Sequence, residues 1–311
     1  HERVLWCNEQ GIDFIVCDHH LPEATLPEAY AVLDPKRKDC SYPFKELTGC
    51  GVGFKLLQGL TRALQLNENK LYYYLDFVAL STAADIVPFT EENQLFVYFG
   101  LGVMNKKMRP GLEAMFKLSS SKSTIIGVQE MVFIFAPRIN AAGRLSDMTL
   151  GIECLTTDDA ARADELASQL DAINRERRDI EGDMRQQAME IAESLFDESD
   201  EPPPAICVFD PDFHEGVVGI VASRIKDKFH RPCFVFAASN APGKEHELKG
   251  SGRSIPGFHL RDALDLMAKQ HPDLLLRFGG HAMAAGCTIE EENLELFETS
   301  LMAVAAQLLS P

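Results

Sequence analysis

The chain has 311 residues and a mass of 34.5 kDa, more than one small domain needs, so two domains are expected. Hydrophobic residues make up 46% and charged residues 25%, with a mean hydropathy of −0.09; this ordinary globular balance excludes disordered, collagenous and mucin-like chains. Lys and Arg number 30 against 47 Asp and Glu, a net charge of −17, so nucleic acid cannot be held by bulk electrostatics, and any phosphate ligand must be met by local cations or by metal.

In chain order, a helical piece precedes the apolar β-type run Ile12–Cys17, which ends in Asp18-His19-His20-Leu21-Pro22. A second short strand at Ala31–Leu33 is closed by Asp34-Pro35. After the Gly49–Gly53 turn the apolar spacing becomes helical over 52–66, 69–82, 92–106 and 123–135. From Thr157 to Phe196 Gly and Pro almost vanish, and Leu166, Leu170, Ile173, Ile180 and Met184 recur at steps of three, four and seven residues, one or two helical turns. This predicts a long helix, unbroken or interrupted near Gly182, with an N-cap from Thr157 and Asp158. The acidic, Pro-rich run 197–204 then punctuates the chain. Beyond it, strands at 205–209, 233–237, 247–252 and near 284–288 alternate with helices at 215–229, 259–270 and 290–309, a second α/β domain.

No apolar run reaches the roughly 18 residues of a spanning helix, and no basic-then-apolar leader opens the chain, which predicts a soluble, cytoplasmic protein. The eight cysteines form no C-x-x-C pair, and several sit in apolar strand-like runs. They read as buried thiols in a reducing compartment. Residue 1 is His rather than Met, the mark of a trimmed or partial chain.

Six further features carry chemistry. Asp18-His19-His20 at a strand end offers oxygen and nitrogen donors suited to Mn²⁺, Mg²⁺ or Zn²⁺, where open α/β sheets commonly hold ligands; the plainer reading is a polar loop with a capping Asp. Asp85 follows an apolar helical stretch and precedes Ile-Val-Pro88, either facing a site or simply solvated at a helix end. Pro137-Arg138-Ile-Asn140-Ala-Ala-Gly143-Arg144 sets two guanidiniums and an amide around a small-residue turn suited to oxyanions. His214-Glu215-Gly216-Val-Val-Gly219 opens a helix whose N-terminus suits an anion. Gly250-Ser251-Gly252-Arg253-Ser254 and Gly279-Gly280-His281 read as glycine-rich turns that let backbone approach a ligand.

Taken in this order, the motifs resemble the DHH phosphoesterase superfamily and, within it, the single-strand-specific 5′→3′ DNA exonucleases. The Pro137–Arg144 and His214–Ile220 blocks are more specific than DHH, and the likeness covers nearly the whole chain. The resemblance implies an α/β fold: a parallel-sheet DHH domain with a helical layer over 1–156, a long connector helix over 157–198, and a smaller α/β DHH-associated domain over 199–311. It implies His19 and Asp85 as ligands of Mn²⁺ or Mg²⁺ in a two-metal site, Asp18 as support for the metal shell, and His20 as a group facing the scissile phosphate. Arg138, Asn140 and Arg144 would contact the strand from one domain. His214, Ser251, Arg253, Ser254, Gly280 and His281 would contact it from the other. The implied partners are single-stranded DNA with a free 5′ end, a helicase and a single-strand-binding protein. The pattern further implies an Asp-x-Asp motif and another acid upstream of residue 1, and an OB-like domain beyond residue 311, so weak metal binding and negligible nuclease activity are expected of these 311 residues alone. Two other readings remain: an oligoribonuclease or cyclic-dinucleotide phosphodiesterase of the same superfamily, and a non-catalytic nucleic-acid-binding scaffold.

Overall fold

The computed structural model describes residues 1–22, 25–85, 87–197 and 203–309. It divides into two compact units, His1–Asn174 and Arg175–Pro311. The punctuating run falls mostly at 198–202, and Ile86 follows Asp85; both lie outside the described residues.

The first unit opens with α1 (Glu2–Glu9) and two parallel strands, β1 (Ile15–Cys17) and β2 (Ala31–Leu33), in the register Ile15↔Ala31. Strand β1 begins three residues later than its apolar run suggested. The ladder continues one step further, because the Asp18 N–H donates to the Leu33 carbonyl at 2.9 Å, and this delivers the DHH triplet at the strand's carboxyl end. Helix α2 (Gly49–Ala63) starts where Thr48 Oγ1 accepts the Gly51 N–H at 3.1 Å, a side-chain N-cap. A 3₁₀ segment (Glu68–Tyr74) leads into α3 (Leu75–Ala84), which is apolar on nearly every side and correspondingly buried. Its neighbour α4 (Glu91–Lys106) packs so closely that a Cβ at Gly100 would stand 2.3 Å from the Leu75 carbonyl oxygen; only glycine fits there.

The helix predicted at 123–135 begins later, as the one-turn α6 (Val128–Glu130) and a π-helical turn (Met131–Phe135), and runs on into α7 (Ala136–Leu145); α5 (Pro110–Lys117), before it, and α8 (Thr149–Thr156), after it, were not predicted. The Pro137–Arg144 block is therefore helix, not a small-residue turn: Ala141 and Ala142 are fully buried and let α7 sit deep in the core. The wide turn comes just before Pro137, which has no N–H to give to the turn before it.

Helix α9 (Ala160–Asp197) is one unbroken helix. Its cap is Asp159, not Thr157 or Asp158: Asp159 Oδ1 accepts from the Ala161 and Arg162 N–H groups at 2.9 and 3.2 Å, and Thr157 Oγ1 in turn accepts the Asp159 N–H. The early part of α9 places Ala163, Leu166, Ala167 and Leu170 in the core of the first unit. The later part places Met184, Ala188 and Ala192 in a core of the second.

The second unit is built on a five-stranded sheet in the order β3-β4-β5-β7-β6: β3 (Ile206–Phe209), β4 (Cys233–Ala238), β5 (Glu247–Arg253), β6 (Arg277–Gly280) and β7 (Ala284–Glu290). Within this sheet only β3 and β4 are parallel. Helices α11 (Leu260–Gln270) and α12 (Leu294–Leu308) cover one face over Phe234, Phe236, Leu248 and Ile289. Helix α10 (Val218–Phe229) and the end of α9 cover Val208, Cys233 and Val235 on the other. Strict alternation of burial along β5 and β7 fixes their faces, as a period of two requires. The short β6 went unread because Arg-Phe-Gly-Gly carries no apolar alternation. Strand β5 runs through Arg253, so Gly250-Ser251-Gly252-Arg253 is strand, not turn. Its glycines exist for the core, since a Cβ at Gly250 or Gly252 would meet the Phe236 or Phe234 ring at 2.3 or 2.6 Å.

All eight cysteines are free and five are buried. Burial pushes the Cys233 thiol up to about 12 and holds Cys207 and Cys287 well above the ordinary thiol range. No helix among the described residues is long and apolar enough to cross a membrane.

Candidate functional site

The DHH triplet leaves β1 as a self-bonded loop. Asp18 Oδ1 accepts from the His19 N–H at 2.7 Å and the His20 N–H at 3.2 Å, and it lies 2.8 Å from His20 Nδ1. Burial alone would raise the Asp18 carboxyl, but these bonds outweigh it and hold the group below the usual carboxylate range. An ionised carboxylate only accepts, so His20 Nδ1 donates and, in the neutral ring, Nε2 keeps a free lone pair. His19 turns inward, its side chain 13% exposed, with Nε2 3.0 Å from Asp85 Oδ2. Its Nδ1 is buried with no hydrogen-bond partner. A buried ring nitrogen without a protein partner is uncommon. The possible ligand atoms of Asp18, His19 and His20 all lie within 4.8 Å of one another.

His19 and Asp85 line a cleft of about 570 Å³ together with Gly49, Cys50, Ser81, Ile139 and Asn140. Asp85 reaches it as the residue capping the C-terminus of α3. Asn140 reaches it from α7, one of the helices the sequence pattern did not disclose. Cys50 and Ser81 were missed as well; nothing in their local sequence separates them from ordinary helix residues.

Arg138 is placed differently from the expectation. Its guanidinium, 12% exposed, holds Asp171 of α9 through Nη2 at 2.8 Å and Nε at 3.0 Å, and Nη1 donates to the Ile134 carbonyl at 2.8 Å. It ties helices together within the first unit. Arg144 is exposed on α7 and is not among the residues that line the cleft. A second buried pair escaped sequence reasoning entirely: Arg109, stacked over Tyr73 and Phe77, holds the 1%-exposed Asp76 with Nε 2.5 Å from Oδ2.

In the second unit Ser251 and Arg253 meet, with Arg253 Nη1 donating to Ser251 Oγ at 3.1 Å and to the Gly252 carbonyl at 2.8 Å. They press on the first turn of α10: a Cβ at Gly219 would fall 2.9 Å from Arg253 Nη2 and 3.0 Å from Ser251 Oγ. Two motifs far apart in sequence are thus one contact. Helix α10 begins at Val218, later than predicted, and His214 sits in the turn before it with Nδ1 accepting the Gly216 N–H at 2.9 Å. In the neutral ring this leaves Nε2–H as a donor. Gly280, at φ +137°, turns the chain so tightly that a Cβ would stand 2.4 Å from Ala285 Cα, and the exposed His281 closes the turn through its N–H to the Ala284 carbonyl. Ser254 is the exception. It is 1% exposed and its hydroxyl donates to the Phe258 carbonyl at 2.6 Å, a fold-holding bond rather than a ligand contact.

Residues 1–82 match the model of the DHH family, N-terminal domain, and residues 203–307 that of the DHHA1 domain. Together they define a DHH-type protein with an acid–imidazole cleft in its first unit. The single-stranded-DNA-specific exonucleases RecJ of Salmonella typhimurium and Escherichia coli are 41% and 40% identical to this chain over its whole length, and the chain spans 55% of each of them. The crystal structure of RecJ from Thermus thermophilus in complex with Mn²⁺ superposes on all of this chain with a TM-score of 0.82 at 33% identity, the chain covering 44% of that protein. A further crystal structure, of exonuclease RecJ bound to manganese, does so with a TM-score of 0.76 at 33% identity, the chain covering 73% of it. The chain belongs to the RecJ family of DHH phosphoesterases and spans about half the length of the curated relatives it matches.

Proposed function

We propose that the chain is the core of a metal-dependent exonuclease that removes nucleotides from the free 5′ end of single-stranded DNA during repair and recombination. The observation that carries this reading is the His19 Nε2–Asp85 Oδ2 pair at 3.0 Å, set in a cleft of about 570 Å³ in a chain similar throughout to single-strand-specific exonucleases. The donors fit Mn²⁺ or Mg²⁺: nitrogen and carboxylate oxygen 3.0 Å apart are spaced like neighbouring ligands on an octahedron with bonds of about 2.1 Å. His19 and Asp85 would hold the ion, with Asp18 fixing the loop that carries His19. When bound, such an ion activates water and offsets charge on the phosphoryl oxygens. His20, with Nδ1 engaged by Asp18 and Nε2 bare, would face the scissile phosphate and accept or return a proton there. Asn140, from the cleft wall, would orient the strand. Ser251, Arg253, His214 and the Gly280-His281 turn would grip phosphates, Arg253 as the charged donor and His214 through Nε2–H. Arg144 remains a candidate strand contact; Arg138 and Ser254 support the others from beneath.

The protein would act in the cytoplasm, with a helicase and a single-strand-binding protein supplying and protecting the strand. An enzyme of oligoribonucleotides or cyclic dinucleotides is less well supported, since the curated relatives similar over the whole chain are named for single-stranded DNA. The test uses the full-length gene product. In Mn²⁺ it should release nucleotides from a 5′-labelled single strand far faster than it cleaves dinucleotides. His19→Ala and Asp85→Ala should each cut that rate by at least about 100-fold, the upper range seen for residues that merely support ligands, with an unchanged melting temperature. Near-parental rates in both variants would remove the site assignment, and preferential cleavage of dinucleotides would remove the substrate.

A further inference from the structure

The segment that follows Asp85 has few bonds of its own. Asp85 closes α3, α4 begins at Glu91, and Pro88 between them has no N–H to donate. Glu91 is held at φ +47°, a left-handed conformation that a residue other than glycine keeps only where its surroundings enforce it.

One buried side chain ties this segment to another part of the cleft. Asn93, in the first turn of α4, is 0% exposed. Its Nδ2 donates to the Pro88 carbonyl at 3.0 Å and to the Glu46 carbonyl at 2.6 Å. Pro88 stands three residues after Asp85, and Glu46 three residues before Gly49, where a Cβ would lie 3.8 Å from His19 Cδ2. Asp85, Gly49 and Cys50 all line the cleft; Asn93 does not.

The chemistry of the tie selects an amide. Two carbonyl oxygens call for two N–H donors on one atom, and among side chains this short only Asn supplies them. The same demand fixes the orientation, since a flipped amide would set Oδ1 against two other oxygens. Asn93 Oδ1 is buried with no hydrogen-bond partner among the described residues, a cost that an apolar residue would not carry. The neighbouring Glu92 accepts from the Tyr42 hydroxyl at 2.7 Å and lies 3.1 Å from Lys55 Nζ. It seats α4 against the same region without touching the Pro88 segment.

We propose that Asn93 is a positioning residue for the metal site: its two N–H bonds hold the segment that carries Asp85 against the start of α2, and so keep Asp85 within reach of the ion that His19 holds. Ligands set in place before the ion arrives bind it more tightly, because less ordering accompanies binding. This inference rests on the reading of His19 and Asp85 as ligands and adds to it a residue outside the cleft.

The test titrates Mn²⁺ into the metal-stripped full-length gene product without DNA and reads the free ion by electron paramagnetic resonance. Asn93→Ala should weaken Mn²⁺ binding by about 10- to 100-fold, the range for residues that hold ligands from behind. With a single strand added, its nuclease rate should fall at low Mn²⁺ and return to within about threefold of parental once the ion saturates, a change in apparent affinity rather than in the chemical step. Glu92→Ala, on the same helical turn, should lower the melting temperature and keep parental Mn²⁺ affinity. If Asn93→Ala does not fold, Asn93→Ser, which keeps a single donor, should show the same loss in smaller measure. Parental affinity in a folded Asn93 variant, or an equal loss in Glu92→Ala, would overturn the proposal and leave the ligands in place. A His19→Ala protein that binds Mn²⁺ as the parent does would instead overturn the ligand assignment.

Discussion

The arginines of the two units are put to opposite uses. In the helical unit, Arg109 and Arg138 are largely buried and closed off by Asp76 and Asp171. In the sheet unit, Arg253 rests on a hydroxyl and a carbonyl at the edge of a glycine-lined face, and Arg277 is exposed. Arg138 and the sheet arginines sit in motifs of small residues, and the sequence makes them look alike. The difference lies in what the small residues are for: in α7 they let a helix sink and draw its arginine inward, whereas in β6 and β7 they clear a surface. A guanidinium beside an acid on a packed helix is a structural tie, and one on an edge strand over glycine, as at Arg277, stays exposed.

The sharpest way to break this contrast is at Asp76. Asp76→Ala leaves Arg109 buried and unpaired, and the loss of one partner of a buried pair costs about 3–5 kcal/mol. Chemical denaturation should show that loss with unchanged strand affinity per folded molecule; a shift below about 1 kcal/mol would mean the pair is not closed. Arg138→Ala should come next, losing about 1.5–3 kcal/mol with its charged hydrogen bonds. Its salt slope for strand binding should stay parental, and a fallen slope with an unmoved melting temperature would return Arg138 to the ligand-contacting set. Gly250→Ala tests the sheet unit from its packed side. The added methyl drives into the Phe236 ring and should cost about 1–3 kcal/mol through overpacking, whereas Gly279→Ala, whose Cβ would meet nothing nearer than 3.5 Å, should melt as the parent does. Equal melting temperatures would mean the two glycine faces are not different.

How far the sequence could be read follows the same division. Strands and helices of the second unit were legible because alternation and helical spacing survive wherever one face is buried, as in β5, β7 and α11. The helices from 110 to 156 were not, because α7 is rich in Ala and Gly and carries Pro near its start, so its composition looks like a turn while tertiary burial of Ala141 and Ala142 makes it a helix. At the candidate site, the DHH triplet and Asp85 were visible as a strand end and a helix end, and their meeting at 3.0 Å could be anticipated only through the family resemblance. The commitments of Arg138 and Ser254 were invisible, since Asp171 and the Phe258 carbonyl are partners chosen by packing.

The missing side chain at Gly219 has a consequence for substitution. Arg253 and Ser251 occupy the volume that any other residue at 219 would claim, so the start of α10 and the end of β5 are not independent texts. A methyl at 219 would require the guanidinium and the hydroxyl to give way, which these side-chain ends can do by rotating and leaving their present contacts. A substitution at the start of α10 is therefore felt at the end of β5, through the position of the Arg253 side chain.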